Sequence, residues 1–370
     1  MEVWVRTAIH CFYKRVVVRK HFPIPQDKPL VYCSNHQNAF LDALIIAVVT
    51  KTQPASLVRA DVFKNPIAKK ILNAMKMLPV FRMRDGYNSL SNNDGIFATV
   101  RSLLQHNGSI IIFPEGNHGE RKQLRPLKKG VGRIVLSTLD TSPELDDIEV
   151  VPIGLEYSYY ENFRSSVMVE FGEPISVKQF LDNYKENEAK GLLSFNSELK
   201  DKISSLMLDI QFKDEYFIVH DFLNDHVLKK HTTAADFTKR FELARKLIQE
   251  INSWEADNVT RNELEKWWKS HPEWEELTHF PNRSWLKFLT FFCVIPWIIP
   301  YFIIHSVATK VTKDSQFVSS LKMAFGMLLV PIWFLILAGI SFAFFSGLQL
   351  FGVLIGLIFT FWGSLHFWND

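Results

Sequence analysis

GSIIIFPEG, residues 108–116, is the stretch whose reading decides how this chain folds. Three consecutive isoleucines between a Gly-Ser start and a Pro-Glu-Gly turn make a short apolar, β-branched run, which reads as a buried strand. The turn that follows places a carboxylate and several backbone amides at the end of a sheet. Working outward, "LVYCSN" (30–35), "ASLVRA" (55–60), "MLPVFR" (77–82), "IEVVPIGLEYS" (148–158) and "SVMVEFGEPI" (166–175) read as further strands. Between them, "DALIIAVVT" (42–50), residues 88–106 and "VGRIVLSTL" (131–139) carry helical spacing. Strands alternating with helices predict an α/β fold, a mixed sheet flanked by helices, with sites at strand ends.

Composition sets the wider limits. The 370 residues include 31 phenylalanines and carry a formal net charge of only +3, so there is no global case for a nucleic-acid partner. A mean hydropathy of +0.01 averages a polar body with a strongly apolar C-terminal part. Cys11, Cys33 and Cys293 lie far apart in apolar contexts, without disulfide or metal spacing, which predicts a body facing a reducing cytoplasm. The histidines likewise lack ligand spacing, and no Walker loop is present, so neither a metal nor a cofactor is expected.

Four regions follow. Residues 1–27 begin with Arg6, Lys14, Arg15, Arg19 and Lys20 interleaved with apolar residues and opposed by Glu2, and predict a basic amphipathic helix in a membrane interface, with an ordinary amphipathic helix packed on the body as the alternative. Residues 28–175 hold the α/β pattern. Residues 176–284 read as a charged helical extension with no obvious chemistry. Residues 285–370 read as a membrane region: 288–308, 323–345 and 348–368 are each long and apolar enough to cross about 30 Å of hydrocarbon. Pro296 and Pro300 leave the first of these open to a kink or a re-entrant path.

Four constellations can carry chemistry. "SNHQNAFLDAL" (34–44) follows a strand and pairs His36 with Asp42; a carboxylate on one ring nitrogen would fix the tautomer of a general base, though a helix-capping Asp beside a structural His reads equally well. No Gly-x-Ser-x-Gly elbow supplies an enzyme nucleophile, so the hydroxyl to be activated belongs to a substrate. The Pro114-Glu115-Gly116 turn is followed by Arg121, Lys122, Arg125, Lys128 and Lys129, which suit a phosphate or form a solvated basic loop. Arg82 and Arg84 alternate on one strand and would share a face, as a phosphate clamp or as ordinary surface. "VVPIGLEY" (150–157) is an apolar strand whose Pro152 marks an edge or a bulge.

Taken together, "NHQNAFLD", "LPVFRMR", "FPEG" and "VPIG", in that order, resemble the glycerolipid acyltransferase family, which contains glycerol-3-phosphate and 1-acylglycerol-3-phosphate acyltransferases. The resemblance covers roughly residues 28–175. It implies a membrane-bound enzyme, with its catalytic domain on the cytoplasmic face, that moves a fatty acyl group from acyl-CoA or acyl-carrier protein to a lipid precursor. The acceptor it implies is lysophosphatidate, giving phosphatidate, or alternatively glycerol-3-phosphate. His36 and Asp42 would then be the base and its orienting carboxylate. Arg82, Arg84, Glu115, Gly116, Arg121, Arg125 and Lys128 would hold the acceptor, and Asn35 and Pro114 would shape the turns. Backbone amides near Gly116 or in the 35–38 turn would receive the oxyanion.

Two departures qualify the match. The spacing from His36 to Asp42 is one residue longer than the common pattern, as in a branch that includes eukaryotic glycerol-3-phosphate acyltransferases. On a regular helix such a separation puts two side chains about 120° apart, so the turn must absorb a residue in non-helical conformation for them to meet. "EGNHG" also lacks the arginine that follows the Glu-Gly of many relatives, leaving Arg121 or Arg125 to replace it. Two readings outside this chemistry are a non-catalytic lipid-binding scaffold and transport by the C-terminal spans. Transport is disfavoured, because only His305 and His366 interrupt those spans, near their ends.

Overall fold

The computed structural model describes residues 2–50, 52–81, 92–228, 234–255, 259–271, 284–312 and 315–367. Arg82 and Arg84, expected to hold phosphate, lie outside the described residues.

The described strands are β1 (Arg15–Lys20), β2 (Leu30–Ser34), β3 (Ala55–Arg59), β4 (Met77–Val80), β5 (Ser109–Ile112), β6 (Glu149–Tyr157), β7 (Ser166–Phe171) and β8 (Ile175–Ser176). They form one sheet in the order β1-β7-β6-β2-β5-β3-β4, with β8 also on β6. The run from β6 through β2, β5 and β3 to β4 is parallel, and β7 and β8 pair antiparallel with β6. The sheet is therefore mixed. Pro152 does not mark an edge: β6 is interior. Its carbonyl accepts from Gly172, and β8 pairs as far as Val150 while β7 takes over at Ile153. The missing N–H of Pro152 thus falls between two partners, where the ladder needs no donor.

Helices cover both faces. They are α1 (Glu2–Phe12), α2 (Ala39–Val49), α3 (Pro66–Ala74), α4 (Asn92–Gln105), α5 (Gly130–Thr141), α6 (Leu181–Glu186) and α7 (Glu188–Ser205). The period of two along β2 sends Val31 and Cys33 into one core, with α4, α5 and α7, and Leu30 and Tyr32 into the other, with α1, α2 and α3. Leu192, Phe195, Leu199 and Ile203 of α7 complete the first core, so the boundary expected at residue 175 does not separate two cores. The remaining extension, α8 (Tyr216–Leu223), α9 (Ala234–Ile251) and α10 (Arg261–Ser270), builds a third cluster that takes in Met168 of β7.

The single interfacial helix expected over residues 1–27 is instead a helix and a strand. Val5, Ile9 and Phe12, on one face of α1, are buried in the domain rather than left for lipid, while Val3 and Trp4 stay exposed. Arg15–Lys20, "RVVVRK", has the β-branched run of a strand and forms the charged outer edge on β7.

The C-terminal helices are α11 (Ser284–Val294), α12 (Ile298–Val311), α13 (Ser315–Phe344) and α14 (Gly347–Phe367). Thr290–Val311, Phe317–Phe344 and Gly347–Phe367 are long and apolar enough to cross a membrane. The first is broken by a 3-10 turn at Ile295–Trp297. Pro300 cannot donate to the carbonyl of Pro296, and the Trp333 indole N–H bonds that oxygen at 2.7 Å instead. Helix α13 also packs on the α/β domain. Its Met323 belongs to the core under β2, and the Ser319 hydroxyl and Lys322 ammonium donate to the carbonyls of Tyr160 and Glu161.

Candidate active site

Parallel pairing builds the site. Cys33 of β2 lies opposite Ile112 of β5, so Asn35-His36 and Phe113-Pro114-Glu115 leave the same end of the sheet as neighbours. His36 precedes α2, and Asp42 sits in its first turn. They meet because Ala39 takes a left-handed φ of 38°, which is the non-helical residue the long spacing demands. His36 Nδ1 lies 2.8 Å from Asp42 Oδ2. In the neutral ring that bond places the proton on Nδ1 and the lone pair on Nε2. The ring stacks on Phe113 with centroids 4.0 Å apart, and its side chain keeps 15% exposure.

Asp42 is fully buried and has four donors, the compensation a buried anion needs. Besides His36, the amides of Gln37 and Asn38 donate to Oδ2 at 2.8 Å each, and the Tyr157 hydroxyl donates to Oδ1 at 2.5 Å. Burial, and then the nearby Asp42 charge, push the Tyr157 phenol well above its ordinary value, so it stays a donor. Asn35 locks this arrangement to β6: its side-chain amide donates to the Leu155 carbonyl at 2.9 Å and accepts from the Leu155 N–H at 2.7 Å. Sequence reading missed Tyr157. The signal was available, since it closes the "VPIG" block and lies three residues past Gly154. Replacing Tyr157 with Phe removes a charge-assisted bond from a buried carboxylate. The expected cost is about 1.5–3 kcal/mol in a urea unfolding curve, with activity falling less than on loss of His36.

The second turn is tied to the first. Gly116 adopts φ 71°, which glycine takes without strain. Glu115 accepts from the His36 N–H at 2.8 Å through Oε1 and from Arg125 Nε at 2.7 Å through Oε2. Burial raises the Glu115 carboxyl and the Arg125 guanidinium partly reverses that. Arg125 Nη1 donates to the His118 carbonyl at 2.9 Å, and Nη2 is buried with no hydrogen-bond partner among the described residues. Gly119, from the divergent "EGNHG", makes this possible: a Cβ there would lie 3.0 Å from Arg125 Nε.

The other predicted cations scatter. Arg121 stacks its guanidinium on Tyr216 and Phe217, 4.8 and 5.4 Å from the ring centroids. Lys122 is buried in an ion pair with Glu156 at 2.5 Å. Lys128 is exposed; its N–H bonds the Pro114 carbonyl and its stem passes Gly116. The amides proposed for an oxyanion are already committed: His36 to Glu115, Gln37 and Asn38 to Asp42, and Gly116 to the Phe113 carbonyl. His118 packs edge-on between His36 and Phe317, the latter from the first turn of α13. The dyad therefore stands beside the foot of a candidate membrane helix.

Residues 15–156 match the acyltransferase family model, a span that holds both turns just described and strands β1 to β5 with nearly all of β6. Over 94 residues the chain is 38% identical to glycerol-3-phosphate O-acyltransferase 1 of Saccharomyces cerevisiae, an overlap of 25% of this chain and 12% of the yeast protein. It is 28% identical over 155 residues to a chloroplastic 1-acyl-sn-glycerol-3-phosphate acyltransferase of Brassica napus, covering 42% of this chain and 40% of that one. A crystal structure of the 1-acyl-sn-glycerophosphate acyltransferase of Thermotoga maritima aligns with a TM-score of 0.40 at 19% identity, covering 55% of this chain and 77% of that chain. The chain thus spans well under half of the length of the yeast and plant relatives.

Proposed function

We propose that the chain is a membrane-bound O-acyltransferase. It would move a fatty acyl group from an acyl thioester, acyl-CoA or acyl-carrier protein, to a hydroxyl of 1-acylglycerol-3-phosphate, giving phosphatidate on the cytoplasmic face. The observation that carries this reading is the His36 Nδ1 to Asp42 bond of 2.8 Å with Nε2 left as the base. In the reaction, Nε2 takes the proton of the acceptor hydroxyl as its oxygen forms a bond to the thioester carbonyl carbon. The C–S bond then breaks, and the thiolate leaves with the proton returned by His36. No acyl-enzyme is required. Arg125 Nη2, a buried donor without a partner among the described residues, is the group for an acceptor phosphate oxygen, and Glu115 holds it in place.

A second acceptor, glycerol-3-phosphate, is favoured by one observation: the relative matched at 38% identity carries that activity in its name. Competition decides between them. With equal concentrations of both acceptors and one labelled long-chain acyl thioester, phosphatidate is the expected major product. Labelled lysophosphatidate in excess would reverse the choice of acceptor and leave the reaction class intact.

A further inference from the structure

Helices α1, α2 and α3 lie on one face of the sheet and share its second core. Val5 and Ile9 of α1, Leu44 of α2 and Leu72 of α3 meet there with Met323 of α13. Further out, Trp4 and Cys11 of α1 line a cavity with Tyr301 of α12, Phe334 of α13 and Phe361 of α14. The candidate spans therefore stand against this layer. Its outer surface is the part of the α/β domain nearest a bilayer that they cross.

Residues 60–76 are the strongly basic part of that layer. They hold a 3-10 turn, Ala60–Lys64, and then α3. Lys64, Lys69, Lys70 and Lys76 face one acid in the same stretch, Asp61, and Asp61 is paired with Arg59. Lys64, Lys69 and Lys70 are exposed and make no ion pair among the described residues. Two large aliphatic side chains are exposed alongside them, Val62 at 37% and Ile71 at 50%, while Leu72 turns inward. An outward surface that is both cationic and aliphatic fits the boundary between lipid headgroups and acyl chains.

We propose that residues 60–76 are a second membrane contact, docking the domain on an anionic lipid surface beside the spans. The proposal rests on the reading that those spans cross a bilayer. Each lysine near an anionic leaflet contributes about fivefold to the affinity. The lysine stems let Val62 and Ile71 reach the acyl boundary while the ammonium groups stay among the phosphates. A neutral leaflet offers those ammonium groups no net charge. An acidic soluble partner would have to approach from the side that the spans already occupy.

Wild type and the triple variant Lys64→Gln, Lys69→Gln, Lys70→Gln are placed in vesicles of phosphatidylcholine with a minority of phosphatidylglycerol bearing a photoreactive headgroup, without acyl donor. Labelled peptides are mapped by mass spectrometry, with the ends of α13 and α14 as the internal reference. Wild type is expected to be labelled within 60–76. The triple variant is expected to lose at least about tenfold of that labelling while the reference holds, as the contribution per lysine implies. Absence of label from 60–76 in wild type with the reference labelled, or equal labelling of the triple variant, overturns the proposal. Should the triple variant fail to insert, wild type is compared with photoreactive phosphatidylcholine in place of the phosphatidylglycerol. Severalfold weaker labelling of 60–76 supports the contact, and equal labelling overturns it. No turnover is read, so an unlabelled α3 leaves the acyltransfer reading standing, and an inactive chain with a labelled α3 leaves the contact standing.

Discussion

Replacing His36 with alanine is expected to lower acyl transfer by about 10²–10⁴-fold, the usual contribution of a general base, while leaving the fold in place. Both halves rest on the same geometry. Asp42 keeps three donors after the imidazole is gone, from Gln37, Asn38 and Tyr157, so no buried charge is stranded. The ring itself lies on Phe113 at a partly open surface. A matched pair of measurements checks this: turnover of an acyl thioester in the presence of acceptor, and a urea unfolding curve in the same detergent. Asp42→Asn is the poorer probe. Its side-chain N–H₂ group could face the Gln37 and Asn38 amides, and two donors would then oppose each other. That variant is expected to lose stability and activity together, so it does not isolate the chemistry.

The largest stability effect is expected at Lys122. Its ammonium and the Glu156 carboxylate are each only 2% exposed and lie 2.5 Å apart. Lys122 also donates to the Tyr157 carbonyl at 3.0 Å, and Glu156 accepts from the Leu208 N–H at 2.9 Å. The pair therefore joins the loop that carries Arg125, the strand that carries Tyr157, and the segment that leads into the helical extension. Burial raises the Glu156 carboxyl, with Lys122 opposing that rise, so the anion depends on its partner. Lys122→Met is expected to cost about 3–5 kcal/mol, because it leaves a buried carboxylate unpaired. Lys122→Met with Glu156→Gln is expected to recover most of that loss, since the amide oxygen can still accept from Leu208. A loss below about 1 kcal/mol in the single variant would show that water reaches Glu156 and that the pair contributes little.

Much of this was legible in the sequence because it is local. The isoleucine run announced β5, the last segments read as apolar stretches long enough to cross a membrane, of which the structure has three, and the count from His36 to Asp42 demanded a non-helical residue, which Ala39 supplies. What escaped is set by partners distant in sequence. "RVVVRK" reads as the tail of an amphipathic helix until β7 offers an edge to pair with. Lys122 looks like one cation among several until Glu156 is placed beside it, 34 residues further on. Tyr157 becomes relevant only when β6 lies against β2 and brings its hydroxyl to Asp42, 115 residues away. The amides of His36, Gln37, Asn38 and Gly116, expected to receive an oxyanion, are bound instead to Glu115, Asp42 and the Phe113 carbonyl, partners that only the folded turns supply.

The most direct test of the account is product formation by the purified chain in lipid vesicles, given a labelled long-chain acyl thioester and a glycerol phosphate acceptor. The account predicts labelled phosphatidate or lysophosphatidate from wild type, free thiol released in equal amount, and both lowered by about a hundredfold or more in His36→Ala. Tight binding of lysophospholipid with no labelled ester from wild type, or equal product from His36→Ala, would contradict it.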